Sequence, residues 1–466
     1  MQRLRDQLAA SGQDHVFRFW GELDPAQRER LQTQLAGLDL NELATLVGGE
    51  NEKTDFAEMA SNASAPPAVR ADGSGADWTV DAARVRGERA LRNGEVGAVI
   101  VAGGQGTRLG FDQPKGLFPV GPVSDRTLFQ CFADRLLAVN ETYGCRVPLY
   151  VMTSEATDEE TREYFQANAF LGLRQEDVVI FKQGTMPAID STTGKLLMSD
   201  RDSLALSPDG HGGTVTALAR SGCLSDAAGR GVKYLAYIQV DNPLANLCDP
   251  TLLGHHLMAE SEMTTQVVRK RYAMEKVGNV VLVDGKVQII EYSDLPESAA
   301  ERVDAAGELA LWAGNIAVHV FDVAFLQRMS RVASALPFHL ASKKVPHVDA
   351  DGNQVDPTDP NATKFERFIF DLLPEAGNAF VVESLPSEAF APVKNAEGAP
   401  TDTPSLARQA ISDLHIGWLR QAGAWVGEGV QVEINPRFAF SAEALAEKID
   451  SNLRIESDRY FDACVE

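Results

Sequence analysis

Residues 99–115 constrain this chain more than any other stretch: Val99-Ile-Val-Ala-Gly103-Gly104-Gln-Gly106-Thr107-Arg108-Leu-Gly110-Phe-Asp-Gln-Pro114-Lys115. They read as a buried strand running straight into a glycine-rich turn, where bare backbone can approach an anion and aim N–H groups at it. Arg108 and Lys115 add positive charge, one as a planar fork and one as a point donor. Three phosphate-binding patterns compete. A Walker loop needs GxxxxGK[ST], which no register of these glycines supplies. A dinucleotide fingerprint, and with it an NAD(P)-binding oxidoreductase, is half met by the relaxed spacing Gly104-x-Gly106-x-x-x-Gly110. That fold demands a helix starting inside the glycine run. Gly110, Pro114, Gly116, Pro119, Gly121 and Pro122 forbid one before about Asp125. The segment is therefore a long wrapping loop, suited to a nucleoside triphosphate.

The surrounding pattern gives the architecture. Apolar runs at 97–104, 148–153, 178–181, 234–242 and 265–270 alternate with helical stretches at 127–143, 158–168, 214–221 and 250–260. Such strands belong to a sheet covered on both faces and mostly parallel. Residues 280–294 predict a hairpin turning at Asp284-Gly285. Ahead of the core, residues 1–47 predict short helices. Leu4, Leu8, Val16 and Phe17 have helical spacing, Asp24-Pro25 starts a helix, and Leu31, Leu35, Leu38, Leu40, Leu43 and Leu46 continue the stripe. A loop over 48–78 and a helix over 80–93 follow. Residues 346–363 read as a turn-rich loop or second hairpin, and 365–372 as helix. Beyond 390, helices at 405–423 and 442–451 flank a short strand. The expected division is 1–94, 95–389 and 390–466.

Composition excludes other classes. The chain of 466 residues has 43 Lys and Arg against 66 Asp and Glu, a net charge of −23. That balance repels nucleic acid and anionic lipid, and a polyanionic substrate must meet a local cationic cluster. No run reaches the ~18 apolar residues of a membrane span. The opening MQRLRDQLAASGQDHVFRFW lacks a secretory signal's apolar stretch, so a cytoplasmic protein is expected. No obligate protein partner is evident. Cys131, Cys145, Cys223, Cys248 and Cys464 are odd in number and without CxxC, which predicts reduced thiols. His255-His256 lacks any further ligand pattern and reads as helix surface.

GGxGTRLGxxxPK closely resembles the signature of the UDP-sugar pyrophosphorylases, in particular the eukaryotic-type UDP-N-acetylglucosamine pyrophosphorylases. SGQDHVFRFWGEL, QGTMPAI, LSPDGHGG, VDNPL, VGN, EYSD, AGNIAVHVF, KFERFIFD and FAPVKNA follow in that family's order, so the resemblance covers most of the chain. It implies an α/β fold with a Rossmann-like (GT-A-like) nucleotidyltransferase core and a mostly parallel mixed sheet. An N-terminal helical region and a small C-terminal α+β region complete it. It also implies UTP and N-acetylglucosamine 1-phosphate as substrates, with UDP-N-acetylglucosamine and pyrophosphate as products. The same chemistry on glucose 1-phosphate or N-acetylgalactosamine 1-phosphate is the close alternative, the NAD(P)-binding oxidoreductase the remote one, and a catalytically dead nucleotide-binding homologue a third. Nothing resembles a hexapeptide β-helix, so a single activity is expected.

By resemblance, Gly103 and Gly104 contact the nucleotide, and Arg108 and Lys115 hold the triphosphate. Lys394 approaches the phosphates and Lys364 lies near the sugar phosphate. Gln183 reads the uracil edge with its amide, while Gly212 and Gly213 let the backbone close on the base. Asp241 ends an apolar strand and is expected to ligate Mg²⁺. Gly278, Glu291 and Asn315 surround the sugar, although many members carry a second Asn where this chain has Val318. In-line displacement at the α-phosphorus needs positioning and charge neutralisation rather than a catalytic triad.

Overall fold

The computed structural model describes residues 1–38, 45–46, 55–332 and 336–463. Leu40 and Leu43 of the expected stripe, residues 48–54 of the expected loop, and Cys464 lie outside the described residues. Contacts divide the chain into two units. The first comprises Met1–Asp55, Gln183–Gly213 and Leu336–Ile369; the second comprises Phe56–Lys182, Thr214–Ala335 and Phe370–Glu466. The sequence division at 94 and 389 follows chain order, whereas these units follow contacts and are discontinuous.

The second unit is built on a nine-stranded mixed sheet. Its strands are β1 (Val96–Val101), β2 (Leu149–Thr153), β3 (Val178–Lys182), β4 (Tyr234–Gln239), β5 (Met263–Arg269), β6 (Asn279–Val283), β7 (Lys286–Ile290), β8 (Ala313–Asp322) and β9 (Ala379–Ser384). The order is β7-β6-β8-β4-β1-β2-β3, with β5 paired to β8 and β9. β4, β1, β2 and β3 are parallel, as are β5 and β9. β8 runs antiparallel to β4, β5 and β6. Helices cover the parallel strands, so β1 and β2 are almost wholly buried and their sequences, VGAVIV and LYVMT, are nearly all apolar. From β1 the chain advances through β2 and β3 to one side, then places β4 on the other. The strand order therefore reverses between β1 and β4, the position where open α/β sheets bind ligands.

Local signals fix the helices. Thr127 and Gln130 form a capping box at the start of Leu128–Tyr143, which ends on Gly144 in the left-handed region. The helices Val80–Arg92 and Pro250–Met258 cross through two glycines. A Cβ on Gly87 would stand 1.8 Å from the Pro250 carbonyl oxygen, and one on Gly254 would stand 1.6 Å from that of Ala83. The expected hairpin is present as β6 and β7, with Asp284 and Gly285 at φ 50° and 76° in its turn. No described helix is long and apolar enough to cross a membrane.

In the first unit the N-terminal helices Gln2–Ala10 and Pro25–Ala36 share a core with the middle of the chain. Leu8, Leu31 and Leu35 pack with Ile189, Leu196, Met198, Leu204 and Phe365. Buried Gln13 donates to the Gly194 carbonyl and accepts from the Leu196 amide, at 3.0 and 2.8 Å. Ala362–Glu366 lies between His339–Lys343 and Ile189–Asp190 in an antiparallel sheet, and His347–Val348 pairs with Gln354–Val355.

Three expectations are corrected. The helix expected over 365–372 is instead the end of the strand Ala362–Glu366 followed by a 3₁₀ segment from Ile369, because the strand finds distant pairing partners. The expected loop contains the helix Phe56–Asn62, which packs Ala60 beside Val281 and Ile290. His255 and His256 are buried, not on a helix surface: His255 accepts from Trp78 Nε1, and His256 bonds Thr264 and Asp322. Cys131, Cys145, Cys223 and Cys248 are free thiols, as expected.

Candidate active site

β1 ends in a loop that closes on itself. Gly106 donates to the Gln113 carbonyl and Lys115 to that of Gly104, at 2.9 and 3.0 Å. Ser154, just past β2, donates its hydroxyl to the Gly103 carbonyl at 2.8 Å. The glycines divide by role. A Cβ on Gly106 would meet Phe111 at 2.7 Å and one on Gly116 would enter the Phe129 ring at 2.1 Å, so packing requires both. Gly104 faces open space. Among the described residues, the amides of Gly103, Gly104 and Gln105 donate to no acceptor in the chain. Adjacent unpartnered N–H groups on an exposed loop form an anion-binding concavity. Arg108 sits exposed on the turn Thr107–Leu109 of this loop and, among the described residues, pairs with no carboxylate.

Asp241 follows β4, and its Oδ2 lies 3.6 Å from Lys115 Nζ. The side chains remain 15% and 17% exposed, so both face the crevice where the strand order reverses. The Asp241 carbonyl accepts from the Val393 amide at 2.8 Å, while Asn242 bonds Ala389 and Ala391. The segment carrying Lys394 is thus tied to the end of β4. Lys394 and Asn395 both donate their amides to the Asp402 carbonyl. Burial raises the Asp402 carboxyl above its ordinary range, while Lys394 and Arg271 pull it back.

Gly278, Glu291 and Asn315 converge at the edge of the same sheet. A Cβ on Gly278 would stand 2.9 Å from Glu291 Oε1 and 3.7 Å from Asn315 Cβ. The Asn315 amide donates to the Gly278 carbonyl at 2.8 Å. A bulge in β8 aims this residue: pairing shifts between Gln266 and Val267, Ala317 takes φ 56°, and Asn315 Oδ1 accepts from the Ala317 amide.

The remaining expected residues belong to the first unit. Gln183 precedes Gly184, and Gly212 and Gly213 follow a turn at Asp209. A Cβ on Gly212 would stand 2.6 Å from the Phe368 amide, and one on Gly213 would stand 2.1 Å from Asp209 Oδ1. Chain packing therefore accounts for both glycines. His211 accepts from the Ile369 amide and stacks on Phe368. Lys364 is half-buried on the strand Ala362–Glu366.

Sequence reading missed Ser154, Asp402 and Lys270. Ser154 follows a strand end, a position where ligand-side polar groups gather, and so carried a signal. Lys270, which closes the apolar run 265–270, carried the same signal, whereas Asp402 stood in no recognisable pattern.

Residues 82–406 match the family model described as UTP–glucose-1-phosphate uridylyltransferase. The chain belongs to this family. Within it, the chain is 38% identical over 436 residues to UDP-N-acetylhexosamine pyrophosphorylase-like protein 1 of Xenopus tropicalis, covering 90% of this chain and 84% of the relative. It is 38% identical over 368 residues to the UDP-N-acetylglucosamine pyrophosphorylase of Saccharomyces cerevisiae, covering 78% and 77%. The crystal structure of the uridine diphosphate N-acetylglucosamine pyrophosphorylase of Trypanosoma brucei in complex with inhibitor superposes with TM-score 0.82 at 26% identity, over 97% of each chain. The family's uridylyltransferase fold is thus present over nearly the whole chain.

Proposed function

We infer that this chain joins UTP and N-acetylglucosamine 1-phosphate to give UDP-N-acetylglucosamine and pyrophosphate. A phosphate oxygen of the sugar phosphate attacks the α-phosphorus, the bond to the bridging oxygen breaks, and pyrophosphate leaves with that electron pair. The attacking phosphate is already ionised, so no general base is required. The observation that carries this reading is the Lys115–Asp241 pair beside the unpartnered loop amides, at the switch point of the sheet. The amides and Lys115, with Arg108 and Lys394, would hold and neutralise the triphosphate. Gly278, Glu291 and Asn315 offer a carboxylate, an amide and close backbone to sugar hydroxyls. In the first unit, Gln183, Gly212, Gly213 and Lys364 keep the base and sugar-phosphate roles that the resemblance gives them.

Asp241 is the residue suited to Mg²⁺. Among the described residues no three His, Cys, Asp or Glu side chains gather into a metal-holding group. A single, slightly exposed carboxylate instead fits an ion shared with phosphate oxygens. Such an ion would neutralise charge on the transferring group.

The test is pyrophosphate release from UTP with N-acetylglucosamine, N-acetylgalactosamine and glucose 1-phosphates, with Lys115→Ala as the blank. Turnover with the N-acetylated sugars, lost in the variant, supports the full reading. Turnover with glucose 1-phosphate alone keeps the chemistry and moves the substrate. Silence across the panel rejects it.

A further inference from the structure

Lys270 directly follows β5 and is only 4% exposed. Its Nζ donates to Asn279 Oδ1 at 2.5 Å and to the Ala273 carbonyl at 3.0 Å. Asn279, itself 1% exposed, passes the constraint on: its Nδ2 donates to the carbonyls of Val277 and Ile290, each at 3.3 Å. Val277 immediately precedes Gly278, and Ile290 immediately precedes Glu291. Asn279 also pairs with Gly314, whose neighbour Asn315 donates to the Gly278 carbonyl. One ammonium therefore holds the amide that bonds the backbone just before Gly278 and Glu291, and the same Asn279 pairs through its backbone with Gly314, the neighbour of Asn315.

We propose that Lys270 is a positioning residue for sugar-phosphate binding, fixing Gly278, Glu291 and Asn315 through Asn279. The proposal rests on the reading of those three residues as the sugar site. Stability alone does not account for this lysine. Among the described residues no carboxylate lies within ion-pair distance of it, and the nearest acidic influence, Glu275, is bonded to Arg271. A buried charge without its own counter-ion is expensive, and an apolar side chain of similar volume would fill the space at lower cost. The fit is close on every side. A Cβ on Gly314 would stand 3.4 Å from Lys270 Cγ and 2.9 Å from Val277 Cγ2. What the ammonium adds over a methionine is direction, holding the Asn279 amide in the one orientation that serves both carbonyls.

The test compares Lys270→Met with Asn279→Asp, which is close to isosteric, keeps an acceptor and gives the ammonium a counter-ion, yet replaces the donor to Val277 and Ile290 with a carboxylate oxygen that repels both carbonyls. KM for N-acetylglucosamine 1-phosphate should rise about tenfold in each, with kcat and the KM for UTP within about threefold of the parent. Lys270→Arg, which retains donors, should recover most of the loss. An unchanged sugar KM in Asn279→Asp, or equal rises in both KM values, overturns the proposal, and Asn279→Asp decides even if Lys270→Met fails to fold. Asn315→Ala serves as the control: if it too leaves the sugar KM unchanged, the assignment of the sugar site itself has failed.

Discussion

Lys115 and Asp241 meet at 3.6 Å although they lie 126 positions apart in sequence, because Asp241 follows β4 and Lys115 closes the loop that leaves its parallel neighbour β1. An ammonium beside a carboxylate in a partly open crevice would suit a substrate that presents both phosphate oxygens and a cation, as the proposed function requires. Triphosphate oxygens suit the lysine, and a phosphate-bound metal suits the aspartate.

This pairing makes the two residues act as a unit. Lys115→Met and Asp241→Asn should each lower kcat by at least ~10²-fold, and the double variant should lose less than the product of the two. Pyrophosphate release under saturating substrates measures all four forms of the cycle. Multiplicative losses would show that the residues work independently.

Gly278→Ala probes the sugar set without removing a polar group. Its new methyl would crowd Glu291 Oε1 and Ile289 Cγ2, both 2.9 Å away, and push the carboxylate aside. The KM for the sugar phosphate should rise roughly tenfold while that for UTP stays within about twofold. Initial-rate kinetics with each substrate varied in turn separates the two.

The crossing of Val80–Arg92 with Pro250–Met258 sets a stability prediction. Gly254→Ala places a methyl 1.6 Å from the Ala83 carbonyl oxygen, so the helices must separate. The expected loss is about 2–4 kcal/mol, outweighing alanine's better helix propensity. Urea denaturation measures it, and an unchanged midpoint would show that the contact yields freely.

Lys270 gives the stability curve a defined sign. Burial lowers its pKa from 10.5 to about 8, so between those values the unfolded chain binds more protons than the native one. This group's contribution to stability therefore increases as pH rises from about 8 to 10 and is least favourable below 8. Lys270→Met removes that term. The difference in unfolding free energy between parent and variant should move in the parent's favour by about 1–3 kcal/mol across that window. Chemical denaturation at stepped pH tests it, and parallel pH profiles would contradict it.

Much of the site was legible because it is local or periodic. The run into Gly103 announced both strand and loop, Asp284-Gly285 announced its hairpin, and Lys115 and Asp241 each follow an apolar run whose end faces ligand in such sheets. What escaped depends on partners far away in sequence. His255 is buried because Trp78 reaches it from 177 positions upstream, and no periodicity on its own helix foretells that. Phe365 has helical neighbours in sequence, yet its strand pairs with His339–Lys343. Lys270 at a strand end reads as solvent-facing until Asn279 and Gly314 enclose it. Gly212 and Gly213 were singled out for a ligand, and their nearest constraint is the chain's own Asp209 and Arg367–Phe368 backbone.

The leucine face of Pro25–Ala36 has a history during synthesis. Leu31 and Leu35 leave the ribosome well before Ile189 and Leu196, and Phe365 comes later still. At ~5–20 residues per second, about 8–30 s of elongation pass before the first of those partners exists. For that interval the nascent chain carries an uncovered apolar stripe, and the unit to which it belongs cannot close until residue 369 has been translated. Amino-terminal fragments ending before that point should aggregate or bind holding chaperones, and ribosomal pausing downstream of Ile369 would mark the earliest moment at which this unit could dock its own helices.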